Sequence, residues 1–265
     1  MRDIYGLYFC CCYGEYINII KEQMNLFITS GLYEKSKNIL IYLTLYNEET
    51  DILNLFKIYD SQDKFIYITT SENSHERFAL NNYRDEIKKI SNDPYYLYYF
   101  HTKGISYDKD NKYYDNVTCI RKIMNHYTLT KHHLNTKLLE NYDAVGCSLM
   151  LFPKIHFSGN FWWSKSENLE LLEKVDELYL SPEMYVCSNM SLSRYDEISK
   201  TPESFGKYFK FVSLSQDANK NLDVNYHMHR SDDEIMNNIT NVPIIDHMAR
   251  WCDVNFRYNK SVTER

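Results

Sequence analysis

Glycine and proline are scarce in this chain, with seven and five in 265 residues. That poverty excludes collagen-like and low-complexity architectures. It also leaves no Gly-rich phosphate loop after the first apolar segment, where a sugar nucleotidyltransferase would need one, because CCCYGEY at 10–16 has a single glycine. Positive charge is not in excess: 30 Lys and Arg stand against 36 Asp and Glu, a net of −6, with basic residues scattered among acidic ones. A duplex-binding surface needs a basic stripe, so nucleic acid is not expected as a partner. No apolar run approaches the roughly 18–20 residues of a membrane span. The opening MRDIYGLYFCCCYG carries Asp3 and lacks a long apolar core and a cleavage site, so no signal peptide is read there. No CxxC pair exists, and seven cysteines cannot form a complete disulfide set. The cysteine usage points to buried thiols in a reducing, cytoplasmic setting.

Apolar residues make up 44% of the chain, enough for one large core. Residues 4–12 form an apolar run too short for a helix, and Gly14 follows. Tyr16, Ile19, Ile20, Met24, Phe27 and Ile28 then recur at helical spacing until Ser30 and Gly31. The theme repeats: strands at 38–46, 64–70 and 95–100 alternate with helical stretches at 49–59 and around Leu80, Tyr83, Ile87 and Ile90. A polar loop, a long helix bearing Val117, Ile120, Met124 and Tyr127, and a short strand at 143–149 come next. Alternation of this kind predicts an α/β fold with a mostly parallel central sheet flanked by helices. Ligands of such sheets bind beyond the carboxyl ends of the strands, so Cys12 to Glu15, Thr70 to Glu76 and His101 to Ser106 are the places to inspect. From about residue 215 apolar periodicity fades. The expected organisation is one domain over 1–214 and a C-terminal extension over 215–265, with a short segment near Ile244 to Trp251.

Three constellations carry chemistry. HTKG, His101 to Gly104, puts an imidazole, a hydroxyl, an ammonium and a flexible glycine at a strand end, which suits a diphosphate and equally suits an ordinary polar turn. HFSGNFWW, His156 to Trp163, mixes aromatic faces with hydrogen-bonding groups, as small-ligand sites do. Two adjacent indoles on a strand point to opposite sides, so one of Trp162 and Trp163 is expected inside and the other over a groove. In SPEMYVCS, Glu183 sits at a helix start that Ser181 can cap, either as a carboxylate meeting the helix dipole or as a general base.

Taken in order, YYFHTKG (Tyr98 to Gly104), CIRKIMNHY (Cys119 to Tyr127), YDAVGC (Tyr142 to Cys147), HFSGNFWWSKS (His156 to Ser166) and PEMYV (Pro182 to Val186) resemble a GT-A-type glycosyltransferase family. That family occurs in large DNA viruses of algae and amoebae and, more distantly, in bacterial polysaccharide clusters. The resemblance covers roughly residues 1–210. It implies a GT-A-like, Rossmann-like fold and transfer of a hexose from a nucleotide-sugar, UDP-linked, to a glycan acceptor by an inverting displacement, in viral or surface glycan synthesis. By position it puts Cys12, Tyr13, Glu72 and Arg77 at the donor's base and ribose, and His101, Thr102 and Lys103 at its diphosphate. His156, Ser158, Gly159, Asn160, Trp162 and Trp163 would line the sugar and acceptor pocket, with Glu183 as base and Lys103 and His101 assisting departure of the diphosphate. One departure matters: where many GT-A enzymes place an Asp-x-Asp pair for Mn2+ or Mg2+, this chain reads His-Thr-Lys. A fixed cation at Lys103 can stand in for the ion, so a metal is compatible but not required, and the metal ligands are unassigned. Asp108 and Asp110 form such a pair only within a Lys- and Asn-rich stretch that reads as a solvated loop. The rival expectation is a carbohydrate-binding or virion structural protein of the same fold without turnover.

Overall fold

In the computed structural model, residues 2–45, 50–70, 75–150, 154–178, 181–189, 211–215 and 223–241 are described. The chain opens with β1 (Asp3–Cys12), α1 (Tyr16–Thr29), α2 (Leu32–Lys35), β2 (Asn38–Leu45), α3 (Thr50–Lys57), β3 (Phe65–Thr70), α4 (Glu76–Lys88) and β4 (Tyr95–His101). There follow α5 (Tyr114–Asn125), a π turn (His126–Thr130), α6 (His132–Leu138), β5 (Ala144–Gly146), the small hairpin β6 (Leu149–Met150) and β7 (His156–Phe157), β8 (Trp162–Lys165) and α7 (Ser166–Leu169). Last come α8 (Ser181–Met184), β9 (Phe211–Ser213), α9 (Val224–His229) and α10 (Asp232–Asn241).

Seven strands form one sheet in the order β3-β2-β1-β4-β8-β5-β9. Pairings among β1, β2, β3 and β4, and between β5 and β9, are parallel; β8 runs antiparallel to both its neighbours. This is the mixed α/β, mostly parallel sheet expected. Strands β8 and β9, short and without a clean alternation, are additions to the expected set.

Both faces of the sheet are covered, and β1 shows it residue by residue. Tyr8, Cys10 and Cys12 join a cluster with Ile20, Met24 and Phe27 of α1. Tyr5, Leu7 and Phe9 join another with Ala79, Leu80, Tyr83 and Ile87 of α4. A strand buried on two sides reads as a continuous apolar run, as DIYGLYFCCC does. Gly6 belongs to this packing: a Cβ there would lie 2.4 Å from the buried Tyr98 hydroxyl, which is hydrogen-bonded to Ser36 at 2.9 Å. Cys10, Cys12, Cys147 and Cys187 are buried thiols. No helix among the described residues is long and apolar enough to cross a membrane.

The same two-sided cover corrects the expectation for the tryptophan pair. Both Trp162 and Trp163 are 0% exposed. Trp162 packs near Tyr99 and Tyr185 in one cluster, while Trp163 lies against Tyr98 in the other. Neighbouring residues do face opposite sides, but β8 lies between β4 and β5, and each side is core.

The π turn that extends α5 reorients carbonyls for tertiary partners. Asn135 Nδ2 donates to the Tyr127 carbonyl at 2.8 Å, and Trp163 Nε1 donates to that of Thr128 at 2.9 Å. Residues 223–235 dock on this turn. Asp223 caps α9 through the Asn225 and Tyr226 amides, His227 Nδ1 lies 3.1 Å from the Tyr127 hydroxyl, Lys131 meets Asp232 at 2.7 Å, and Ile235 is buried. The segment near Ile244 to Trp251 lies outside the described residues.

Three buried histidines give the fold a pH signature. Burial lowers His126 to about 4, with Lys131 and His227 adding, and it lowers His132 and His101 as well. In the unfolded chain these rings take a proton near pH 6.5, so between there and about 4 the unfolded state binds more protons. Stability present above pH 6.5 is therefore lost as pH falls towards 4. Thermal melts from pH 7 to 4.5 should show a falling Tm, with a shallower fall in His126→Gln; identical slopes would remove His126 from this account.

Candidate functional site

Strand order reverses at β1, since the chain builds outward through β2 and β3 and then returns to place β4 on the other side of β1. A crevice opens beyond the carboxyl ends of two strands whose connections leave in opposite directions. Here those ends are Cys11 to Gly14 and His101 to Gly104, and they interlock. The Cys11 amide donates to Thr102 Oγ1 at 3.1 Å, the Thr102 amide donates to the Phe9 carbonyl at 3.1 Å, and the Ile105 carbonyl lies 2.9 Å from where a Cβ on Gly14 would stand.

A buried polar web holds the β4 tip from the α1 and α5 side. Gln23 accepts from the Tyr8 hydroxyl at 2.8 Å and donates to the His101 carbonyl at 2.9 Å and to Asn125 Oδ1 at 3.0 Å. Asn125 donates to Glu22 at 3.1 Å, and Arg121 grips both oxygens of Glu22 at 3.2 Å. Arg121 also donates to the Lys103 carbonyl at 3.2 Å. Each polar group in the web is satisfied by another, which is what makes its burial tolerable.

On the α4 side the organiser is Glu76. Its Oε2 accepts from the Tyr99 hydroxyl at 2.8 Å and from Asn160 Nδ2, and its Oε1 lies 3.5 Å from His101 Nδ1. Asn160 in turn accepts from Trp162 Nε1 at 2.9 Å. The other nitrogen of His101 lies 3.0 Å from the Gly159 carbonyl, which only accepts, so Nε2 carries a proton. Burial pulls the imidazole down from its ordinary value and Lys103 adds to this, against the opposing fields of Glu76 and Glu183. Backbone strain concentrates around this carboxylate. His75, just before Glu76, has φ 49 and ψ −146, and Gly159 and Asn160 have φ 89 and 58. A non-glycine residue in the region of His75 costs about 1–3 kcal/mol and persists only where its surroundings over-determine it.

Beyond the turn at 159–160 stand Glu183 and His156, with Glu183 Oε2 4.0 Å from His156 Nε2. Ser181 does not act as the expected cap; its hydroxyl donates to Asp176. That bond, with the Leu178 amide and then Lys154 and Arg77, holds the Asp176 carboxyl below its usual range. Arg77 thus lies near the segment leading into α8.

Several site expectations change on this geometry. His156, Gly159, Asn160, Trp162 and Trp163 are buried, so of the six residues read as a sugar and acceptor pocket only Ser158 keeps partial exposure. Thr102, 3% exposed, has its hydroxyl engaged by the Cys11 amide, and His101, 9% exposed, is held between Gly159 and Glu76. Both shape the crevice wall and neither is open to a diphosphate. Cys12 is buried; Tyr13 is 60% exposed and Lys103 half-buried. Glu72 lies outside the described residues. A divalent ion does not fit the β4 tip, whose donor set is a bonded imidazole, a bonded hydroxyl and an ammonium. Asp108 and Asp110 are exposed, and no group of three metal-ligating side chains occurs among the described residues. A concavity of 290 Å³ between Glu22, Leu26, Lys122 and Met228 opens on the outer side of the polar web, away from the strand ends.

Glu22 and Gln23 had no place in the sequence expectation, and Glu76, Tyr99, Arg121 and Asn125 entered it only inside longer segments, with no role of their own. A signal existed for two of them. Gln23 interrupts the stripe Ile19, Ile20, Met24, Phe27 at a core position, and Glu76 stands one helical step before Leu80 on the buried face of α4.

No family model matches the sequence, and no curated protein matches it. Among solved structures the chain is similar to the mannosyltransferase PcManGT from Pyrobaculum calidifontis in complex with GDP-Man and Mn2+, at 12% identity and a TM-score of 0.43. The likeness covers 71% of this chain and 52% of that one, so the chain spans about half that protein's length. At that TM-score the likeness carries no argument about activity, donor or metal.

Removing the Glu76 charge tests its place at the centre of this arrangement. Glu76→Gln should lower unfolding stability by about 1–3 kcal/mol, since hydrogen bonds to a charged group are weakened and the facing donors lose their best acceptor. Urea denaturation at pH 7 measures it; a midpoint equal to that of the parent chain would show the web to be indifferent to the carboxylate.

Proposed function

We propose that this chain is a glycosyltransferase of GT-A type that moves a sugar from a nucleotide-sugar, UDP-linked, to a glycan acceptor. What supports this reading is the strand-order reversal, where the interlocked ends of β1 and β4 carry an exposed aromatic, Tyr13, and a half-buried cation, Lys103. The half-buried carboxylate Glu183, like Lys103, lies close enough to His101 to act on its imidazole. Tyr13 offers a face to the donor's base. Lys103, whose stem runs close to Gly159 at the crevice wall, balances negative charge gathering on the departing diphosphate. Glu183 takes the proton of the attacking hydroxyl in a single, inverting displacement. His101 serves as a wall residue that keeps the 159–160 turn against the β4 tip. With both indoles in the core, HFSGNFWW offers the acceptor no aromatic platform. The rival reading, a carbohydrate-binding or virion structural protein that keeps this fold without turnover, is told apart by donor hydrolysis, since a pure binder releases no UDP from any nucleotide-sugar. A role in viral or surface glycan synthesis rests on the sequence resemblance alone.

A thermal-shift panel of UDP-, GDP- and dTDP-sugars, with and without Mn2+, tests donor class and metal need together. A true donor at a hundred times its Kd stabilises by about 2.7 kcal/mol; a flat panel would end the nucleotide-sugar reading. Lys103→Ala should lower kcat about 10²–10³-fold and weaken the donor with the melting point of the empty protein intact. Unchanged kinetics would remove the cation from the diphosphate. Glu183→Gln should leave donor binding alone and cut transfer about 10²–10⁴-fold; near-normal transfer would place the base elsewhere.

A further inference from the structure

His156 is held by one nitrogen and open at the other. Nδ1 lies 2.8 Å from the Lys154 carbonyl. A carbonyl only accepts, so Nδ1 bears the proton and the neutral ring presents a lone pair at Nε2. That lone pair faces Glu183 Oε2 at 4.0 Å. The two side chains differ in reach, 9% exposed for His156 and 29% for Glu183. The carboxylate meets solvent and the imidazole stands behind it. A ring so placed has little surface for a sugar, but it is well placed to receive a proton that arrives on Glu183. Glu183 also acts on His101, which lies beside Glu76 and Lys103, and Tyr185 and Cys187 stand on the turn after α8 that packs against β7.

We propose that His156 is the proton acceptor behind Glu183, a positioning residue that acts through that carboxylate. The inference rests on the glycosyltransferase reading for its chemistry. As the acceptor oxygen bonds to the anomeric carbon, the bond from that carbon to the diphosphate breaks and the diphosphate leaves with the electron pair. The hydroxyl proton moves to Glu183 Oε2 and on to His156 Nε2, which restores the carboxylate and leaves an imidazolium between it and the Lys154 carbonyl. After the products depart, the proton returns through Glu183 to water. The separation of 4.0 Å closes by rotation of the half-exposed Glu183 or through one bridging water.

Two measurements on the full chain test this. With histidine labelled at 13Cε1, the His156 resonance is the one missing from His156→Gln. It should show the Nδ1–H tautomer, and its shift should move in Glu183→Gln, because the carboxylate faces Nε2. An unmoved shift, or an Nε2–H tautomer, overturns the pairing without any turnover being measured. The second measurement uses whichever nucleotide-sugar raises the melting point. His156→Gln, melting as the parent does, should lower kcat about tenfold or more at unchanged donor KM. Parental kcat would overturn the relay while leaving Glu183 as base. A parent chain without turnover on any nucleotide-sugar would instead overturn the transfer reading, and the His156 tautomer and shift would then decide the pair by themselves.

Discussion

A sheet covered on both faces leaves a ligand only its rims and the ends of its strands, and the rest of this structure follows from that constraint. Strands β1 and β4 are buried along nearly their whole length. Side chains in them serve the core, whatever their chemistry. At the reversal of strand order the ends of β1 and β4 lie side by side and interlock, and the chain becomes accessible just beyond them, at Tyr13 and Lys103. The topology thereby concentrates what reactivity the chain has into a few residues.

Holding those tips in place is a polar task within an apolar molecule. Gln23, Glu22, Asn125 and Arg121 on one side, and Glu76, Asn160 and Tyr99 on the other, tie the β4 tip to three helices and to the turn at 159–160. In a low-dielectric interior such bonds are strong when complete and costly when broken. The strained backbone at His75 and at Gly159 and Asn160 is the counterpart of this rigidity. Rigid walls are what a charged leaving group needs, because donors already in place do not reorganise as charge develops.

The residues of HFSGNFWW show how a motif can be informative in an unforeseen sense. Its histidine, asparagine and tryptophans are polar and aromatic because they pack and bond inside, with Asn160 joining the Trp162 indole to Glu76 and Trp163 joining the Thr128 carbonyl of the π turn. As a pattern of residue types this is indistinguishable from a sugar-binding surface, since both want aromatic area with nearby donors. Gln23 and Glu76 teach the converse. Each is a polar residue on a core-facing stripe, and the place of the break marks where the interior holds a site wall.

The sequence by itself determined the alternation of elements from β1 to α5, since periods of 2 and 3.6 are local properties that side-chain spacing expresses directly. It also set the polar segment His101 to Gly104 directly after the apolar run of β4. Tertiary structure alone decided which side chains there are open and which are walls, placed β8 beneath cover on both faces, and brought Glu76, His101, Asn160, Glu183 and His156 into one neighbourhood. The physical reason is that exposure and charge proximity belong to pairs of distant segments, from residue 76 to residue 183, and no local spacing encodes a distance across the fold.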